Sequence, residues 1–331
     1  MSVHVERASP LATLRDMGRP GTQHLGLGPG GASDPFSHRI ANLLVGNGPE
    51  AATLEVALAG PVLRFAVPTL AALCGADLSA TLDGIPVPLW RPLWIRPGAR
   101  LAFGAARAGA RAYLAVAGGF LGEEVLGSRS PGPGLGLAPP GAGDVLPMGP
   151  QPPFYPRLRM ALGAGAPFAA PAWFAPFHRD LDLGRPAVLR LLAGPQLEVL
   201  DAASREALFG EVFTVGPRSD GMGLRLDGPR LVLARPLEMI SAPVATGTLQ
   251  LPPGGSPILL LAGRQTTGGY PRLGEVASVD HPAAAQLRAG EALRLRACEP
   301  GEAMALLRER EARLRALEEG LRRRMEAPDG A

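Results

Sequence analysis

Lysine is missing from this chain: all 33 of its basic residues are arginine, in 331 residues. That absence excludes Schiff-base chemistry, a lysine-bearing phosphate loop, a kinase-type phosphate lysine and a biotinyl-lysine on this polypeptide. Cysteine is nearly absent too. Cys74 and Cys298 each stand in a strand-like apolar segment, too few for a disulfide framework and best read as buried thiols. Aromatic residues make up 5%, and no arginine stripe is interleaved with them, which argues against nucleic-acid binding despite a net charge of +3. No apolar run approaches the roughly 18 residues that a membrane-spanning helix needs. The N-terminus, Met1-Ser-Val-His-Val-Glu-Arg7, has neither the basic nor the apolar region of a secretion signal. The expectation is a cytoplasmic chain that works without membrane or nucleic acid.

Glycine and proline are abundant, at 44 and 36 residues, and hydrophobic residues reach 46%. Such frequent breakers divide the core-forming residues into short strands and disfavour a helical bundle. Runs at 54–58, 62–66, 70–74, 101–103 and 112–117 read as strands of an antiparallel barrel or sandwich. One helix interrupts them: Asp34 is a natural N-cap, Pro35 suits the first turn, Ile40, Leu43 and Leu44 form an apolar stripe, and Asn47-Gly48 stops it. The Gly/Pro-rich tract 131–150 reads as a loop without its own core. Strands resume at 187–192 and recur to Leu295, and a charged helix with Leu307, Leu314, Leu317 and Leu321 on one side spans 302–326. Two echoes, Ala59–Phe65 with Ala193–Val199 and Ile95–Leu101 with Leu287–Leu293, suggest related halves. The expected organisation is an N-terminal domain 1–163, a connection 164–185, a C-terminal domain 186–300 and a helix with tail 301–331.

Several motifs fail on context. Gly26-Leu-Gly-Pro-Gly-Gly31 matches a dinucleotide fingerprint, but no strand precedes it and Pro29 occupies its turn, leaving a tight loop whose backbone can approach a ligand. His178-Arg-Asp-Leu181 imitates a kinase catalytic loop, yet Arg185 stands where asparagine is required. The five histidines show no metal-ligand spacing, so no metal is expected.

Three polar segments remain. His24–Asn47 contains Ser33-Asp34 at a helix N-terminus, an arrangement suited to anions but explained equally by capping. Arg218–Pro229 reads as a hairpin with Leu224 and Leu226 inward. Arg264-Gln-Thr-Thr-Gly-Gly-Tyr-Pro271 packs a guanidinium, an amide, two hydroxyls, two glycines and a phenol into eight residues, far more than a turn requires. Arginine and threonine suit carboxylate or phosphoryl oxygens, and glycines let backbone donors come close. Asp280 and Gln286 follow and can complete the site.

In order along the chain, Gly30-Gly-Ala-Ser-Asp34, Ala41–Asn47, Leu54-Glu55, Gly221–Pro229, Thr246-Gly-Thr-Leu-Gln-Leu-Pro-Pro253, Gln265–Pro271 and Asp280…Gln286 resemble the biotin-dependent carboxyltransferase-like family, over roughly residues 3–300. That family includes the C component of 5-oxoprolinase and regions of allophanate hydrolase and urea amidolyase proteins. The resemblance implies a mainly β fold of two cyclophilin-like β-barrel domains. It also implies ATP-dependent conversion of 5-oxoproline to glutamate with the A and B components of a 5-oxoprolinase as partners. The other readings are carboxyl transfer to urea or another amide, with biotin carried on another chain, and a non-catalytic regulator of the B component. On the first reading, Arg264, Thr266, Thr267 and Asp280 are the catalytic candidates. His24, Ser33, Asp34, Gln265, Gly268, Gly269, Tyr270 and Gln286 are the substrate-binding candidates. The sequence departs from the family pattern at Gly221, Gly263 and Ser33, where arginine, aspartate and methionine are usual.

Overall fold

The apolar runs become strands in two separate units, seen in a computed structural model that describes residues 1–150, 160, 163, 165–181, 183 and 186–326. The first unit comprises Met1–Gly18, Asp34–Leu181 and Ala312–Ala331, and the second Arg19–Ser33 and Asp182–Glu311. Residues 164, 182, 184 and 185 of the expected connection, and the tail beyond 326, lie outside the described residues.

The first unit holds β1 (Ser2–Arg7), β2 (Ala12–Arg15), α1 (Pro35–Leu44), β3 (Thr53–Ala57), β4 (Val62–Phe65), β5 (Thr69–Asp77) and β6 (Thr81–Leu82). It continues with β7 (Ile85–Pro86), β8 (Pro92–Ile95), β9 (Arg100–Ala102), β10 (Ala108–Val116), β11 (Val145–Pro147) and β12 (Phe168–Ala169). These strands form two six-stranded sheets, ordered β11-β1-β4-β9-β6-β7 and β12-β8-β5-β10-β3-β2. A single core cluster draws on both sheets, with Val3, Leu63 and Phe65 from one and Leu54, Leu73 and Leu114 from the other. α1 begins as its sequence dictates: Asp34 Oδ1 accepts from the amides of Phe36 and Ser37, and Pro35 opens the first turn. The tract 131–150 is less irregular than its composition suggests. Val145–Pro147 pairs antiparallel with β1, which buries Leu146 and Met148; a short edge strand tolerates its proline because the ring there removes no ladder bond.

The second unit holds β13 (Ala187–Ala193), α2 (Ala202–Gly210), β14 (Phe213–Val215), β15 (Gly223–Asp227), β16 (Ala242–Pro243), β17 (Thr248–Gln250) and β18 (Ile258–Leu260). After these come β19 (Thr267–Gly268), β20 (Arg272–Val276), α3 (His281–Ala285) and β21 (Ala292–Ala297). Seven strands close a barrel in the order β13-β20-β17-β18-β15-β14-β21, sealed by the parallel pairing of β13 with β21. Leucine fills it: Leu191, Leu226, Leu249, Leu259, Leu273 and Leu293 alternate inward and are essentially inaccessible. β15 behaves as its pattern predicts, with Leu224 and Leu226 buried and Arg225 and Asp227 outside. α4 (Pro300–Glu326) supplies residues to both units, and Leu314 and Leu321 of its leucine stripe are buried.

The first internal echo is not structural. Val62–Phe65 is a strand, whereas Leu197–Val199 is a turn of 3-10 helix. What the Gly-Pro pair at 194 serves instead is a close approach: a Cβ on Gly194 would lie 2.5 Å from the Arg272 carbonyl oxygen and 2.7 Å from the Gly274 nitrogen. Both are barrel backbone and cannot step aside. Gly194→Ala is therefore expected to destabilise the protein by roughly 1–3 kcal/mol, read as a lower urea midpoint with an unchanged slope.

Candidate functional site

β17 turns Leu249 into the barrel and Thr248 and Gln250 outward, yet both outward side chains are buried. Over this part of the wall runs the two-stranded ribbon of β16 and β19, paired at Ala242–Gly268 and Pro243–Thr267. Polar side chains occupy the layer around it. Thr248 Oγ1 lies 2.8 and 2.9 Å from the two Glu275 carboxylate oxygens and accepts from the Ala245 amide at 2.9 Å. Gln250 packs against Gly268, where a Cβ would collide with its amide, and its buried Nε2 has no hydrogen-bond partner among the described residues. A side chain at 268 would thus have to displace the Gln250 amide.

Arg264 occupies the same layer. The turn after β18 buries it, and its guanidinium donates from Nε to the Val244 carbonyl at 3.2 Å and from Nη1 to Thr246 Oγ1 at 3.0 Å. Among the described residues no carboxylate lies within ion-pairing distance of it. Burial pulls its pKa down, and the charge on Glu275 offsets part of that. Burial likewise raises Glu275, opposed by the Thr248 hydroxyl and then by Arg272 and Arg264. A fixed, desolvated cation with no anionic neighbour in contact is a binding element for an anion or an oxygen that develops charge.

The expected segment therefore divides by exposure. Arg264 is buried and Thr266 and Gly268 are half-buried, while Gln265, Thr267, Gly269 and Tyr270 face solvent. The glycine loop that failed as a dinucleotide motif packs on this site, since a Cβ at Gly28 would stand 2.8 Å from the Arg264 carbonyl oxygen. The departures at 221 and 263 are neighbours. Gly263 donates its amide to the Gly221 carbonyl at 3.0 Å, and a Cβ at 263 would meet that oxygen at 2.7 Å. Two chain segments this close leave no room for a side chain at 263 without a backbone shift.

Other candidates take different roles. Asp34 is in the first unit and wholly buried; its carboxylate caps α1 and also accepts from Ser37 Oγ at 2.6 Å, while its own amide donates to the Tyr113 hydroxyl at 2.7 Å. That carboxylate serves as a helix cap. His24 is exposed and bonds the Gly21 carbonyl within a 3-10 turn, through Nδ1 at 2.8 Å. Ser33 and Gln286 are buried. Asp280 is an anchor between segments: it accepts from the Arg190 amide at 2.7 Å and from Arg190 Nη1 at 2.5 Å, and burial is the largest influence on its raised pKa. An aspartate so engaged is a poor general base. Among the described residues no group of three or more His, Cys, Asp or Glu side chains could hold a metal, and no helix is long and apolar enough to cross a membrane.

Thr246, Thr248, Gln250, Glu275 and His281 belong to the site but carry no isolated signature. The one available signal was Thr246-Gly-Thr-Leu-Gln250, whose threonines and glutamine alternate with a core leucine. His281 abuts Gly247, where a Cβ would lie 2.5 Å from Nε2, and Nε2 lies 3.0 Å from the Val276 carbonyl. Burial, followed by the charges of Arg310 and Arg264, lowers its pKa to about 4 against the Val276 hydrogen bond. A histidine held neutral contributes stability that is complete above its ordinary pKa of 6.5 and is lost as pH falls toward about 4. The loss over that window is on the order of 3 kcal/mol. Urea midpoints at pH 7 and 4.5 should diverge less in His281→Phe than in the unsubstituted chain; the buried His38, which shifts in the same direction, and Asp16, whose carboxylate is held below its ordinary value, keep part of the divergence.

Known proteins resemble this chain over most of its length. The chain is 33% identical to the C component of 5-oxoprolinase from Haemophilus influenzae over 305 residues, covering 91% of this chain and 92% of that one. It is 33% identical to the C component of 5-oxoprolinase from Escherichia coli over 298 residues, 90% and 92% of the two chains. The crystal structure of the K. lactis urea amidolyase superposes with a TM-score of 0.83 at 26% identity, covering 97% of this chain and 20% of that one. The family profile described as carboxyltransferase domain, subdomain A and B, matches residues 25–297, and the chain belongs to that family.

Proposed function

We propose that this chain is the C component of a cytoplasmic, ATP-dependent 5-oxoprolinase, acting with the A and B components to open 5-oxoproline to glutamate. The observation that carries the reading is the buried guanidinium of Arg264, fixed by Thr246 and Val244 yet not ion-paired, beneath a turn of hydroxyls and glycines. End-to-end similarity to the C components of two bacterial 5-oxoprolinases supports it.

A five-membered lactam resists hydrolysis because its nitrogen delocalises onto the carbonyl oxygen. ATP, held by a partner protein, would phosphorylate this oxygen. Water then adds to the activated carbon, the ring C–N bond breaks as the nitrogen takes a proton, and the phosphate leaves to give the glutamate carboxylate. Within this chain, Arg264 holds the substrate carboxylate or the oxygen that gains charge, and the Thr266 and Thr267 hydroxyls donate to the same oxygens. Gly268 and Gly269 keep the backbone near enough to contact the ligand. Glu275, whose pKa is raised, exchanges a proton with the attacking water. Mixing this chain with the A and B components should give oxoproline-dependent phosphate release that stops when this chain is omitted. Release that continues without it overturns the reading.

A second reading, carboxyl transfer from biotin to urea or another amide nitrogen, is favoured by the match to the urea amidolyase structure. Since the chain has no lysine, the biotin would arrive on another protein. Sensitivity of the reconstituted activity to avidin separates the two.

A further inference from the structure

We infer that a recess in the second unit, lined in part by Gly269, Tyr270 and Pro271, is a binding site for an organic anion with a flat apolar body. The recess holds about 510 Å³, within the range of small-ligand sites. Its lining includes two arginines, Arg230 and Arg235, and no acidic residue. Neither guanidinium makes an ion pair or a hydrogen bond among the described residues. Two uncompensated guanidiniums at one concavity favour a carboxylate or phosphate ester, which each can grip through paired N–H groups.

The rest of the wall is apolar and stiff. Pro236, Pro252, Pro253 and Pro271 contribute rigid faces, and Tyr270, 43% exposed, offers its ring. A planar group lying on such surfaces buries apolar area and meets the tyrosine face in stacking geometry. Backbone hydrogen bonds set the shape in advance. Leu231 donates to Gly255 and Leu251 to Pro271, both at 2.9 Å, and Val232 donates to Ser204 Oγ at 2.8 Å. Gly255 also positions the first cation: its φ is +82°, and a Cβ there would lie 2.5 Å from Arg230 Cγ, so the arginine stem rests on bare backbone. A recess formed before its ligand arrives loses little affinity to ordering.

Turnover plays no part in this inference, so the site can be tested on the isolated full chain. Calorimetric titration would compare AMP, indole-3-acetate and adenosine. Saturable binding of AMP or of indole-3-acetate is expected, weakened at least tenfold in Arg230→Ala/Arg235→Ala, with adenosine at least tenfold weaker than AMP if AMP is the binder. Which of the two anions binds identifies the source as a phosphate ester or a carboxylate. Arg225→Ala, which removes an exposed arginine on β15, should leave the affinity unchanged. Saturable binding of neither anion, or a loss in Arg225→Ala equal to that in the double variant, overturns the inference. Thermal melting of each variant confirms that the fold persists.

Discussion

Arg264→Ala is expected to lower oxoproline-dependent phosphate release by the reconstituted complex by about 10²–10³-fold, the usual cost of deleting one fixed donor to developing charge. The loss should fall mainly on kcat if the guanidinium acts on the oxygen that gains charge, and mainly on KM if it only holds the substrate carboxylate. Arg264→Lys is the sharper variant. A lysine keeps the charge, but its single nitrogen cannot reproduce the separate Nε and Nη1 positions that bond the Val244 carbonyl and the Thr246 hydroxyl, nor the planar fork beyond them. It should therefore recover little of the rate. Full activity in the lysine variant would mean that charge alone matters, and full activity in the alanine variant would remove Arg264 from the chemistry.

Asp280→Ala carries the largest expected effect on stability. It leaves the Arg190 guanidinium with only Glu302, 3.9 Å from Nε, and the Arg190 amide without its acceptor, where both had been bonded to one buried side chain. Breaking a buried ion pair from one side costs about 3–5 kcal/mol, and the lower end applies because Arg190 is 29% exposed and can be partly rehydrated. Asp280→Asn keeps an oxygen for the Arg190 amide and should lose less. Urea midpoints rank the three proteins. Turnover lost in the asparagine variant with an unchanged midpoint would restore Asp280 as a chemical group.

These two residues also mark where the sequence was readable. Arg264 stood out because eight consecutive residues held more hydrogen-bonding chemistry than a turn can use, and that local excess survives folding. Asp280 looked similar in isolation, but its meaning depends on Arg190, which comes 90 positions earlier. Capping at Asp34 was legible because an N-cap is local: the bonds that satisfy it come from the next turn of helix. For Gln250 and Glu275 the decisive fact is the ribbon that covers an outward barrel face, a long-range arrangement that alternation along one strand cannot report. The strand at Val145–Pro147 was hidden for a related reason, since its pairing with β1 spans most of the first unit's length. Gly-Pro echoes misled because the same dipeptide serves a strand entry in one place and a close backbone crossing in the other.

The seam between β13 and β21 bears on how the protein is made. Ala187 to Leu191 pair with Leu293 to Ala297, so the first and last staves of the cylinder are separated by about a hundred positions of polypeptide. A ribosome must deliver nearly all of that stretch before the cylinder can shut. Until then the leucines destined for its interior face water or a chaperone. Ribosome-stalled chains arrested before Leu293 emerges should consequently remain protease-sensitive across this half, and acquire resistance abruptly once the final stave is free.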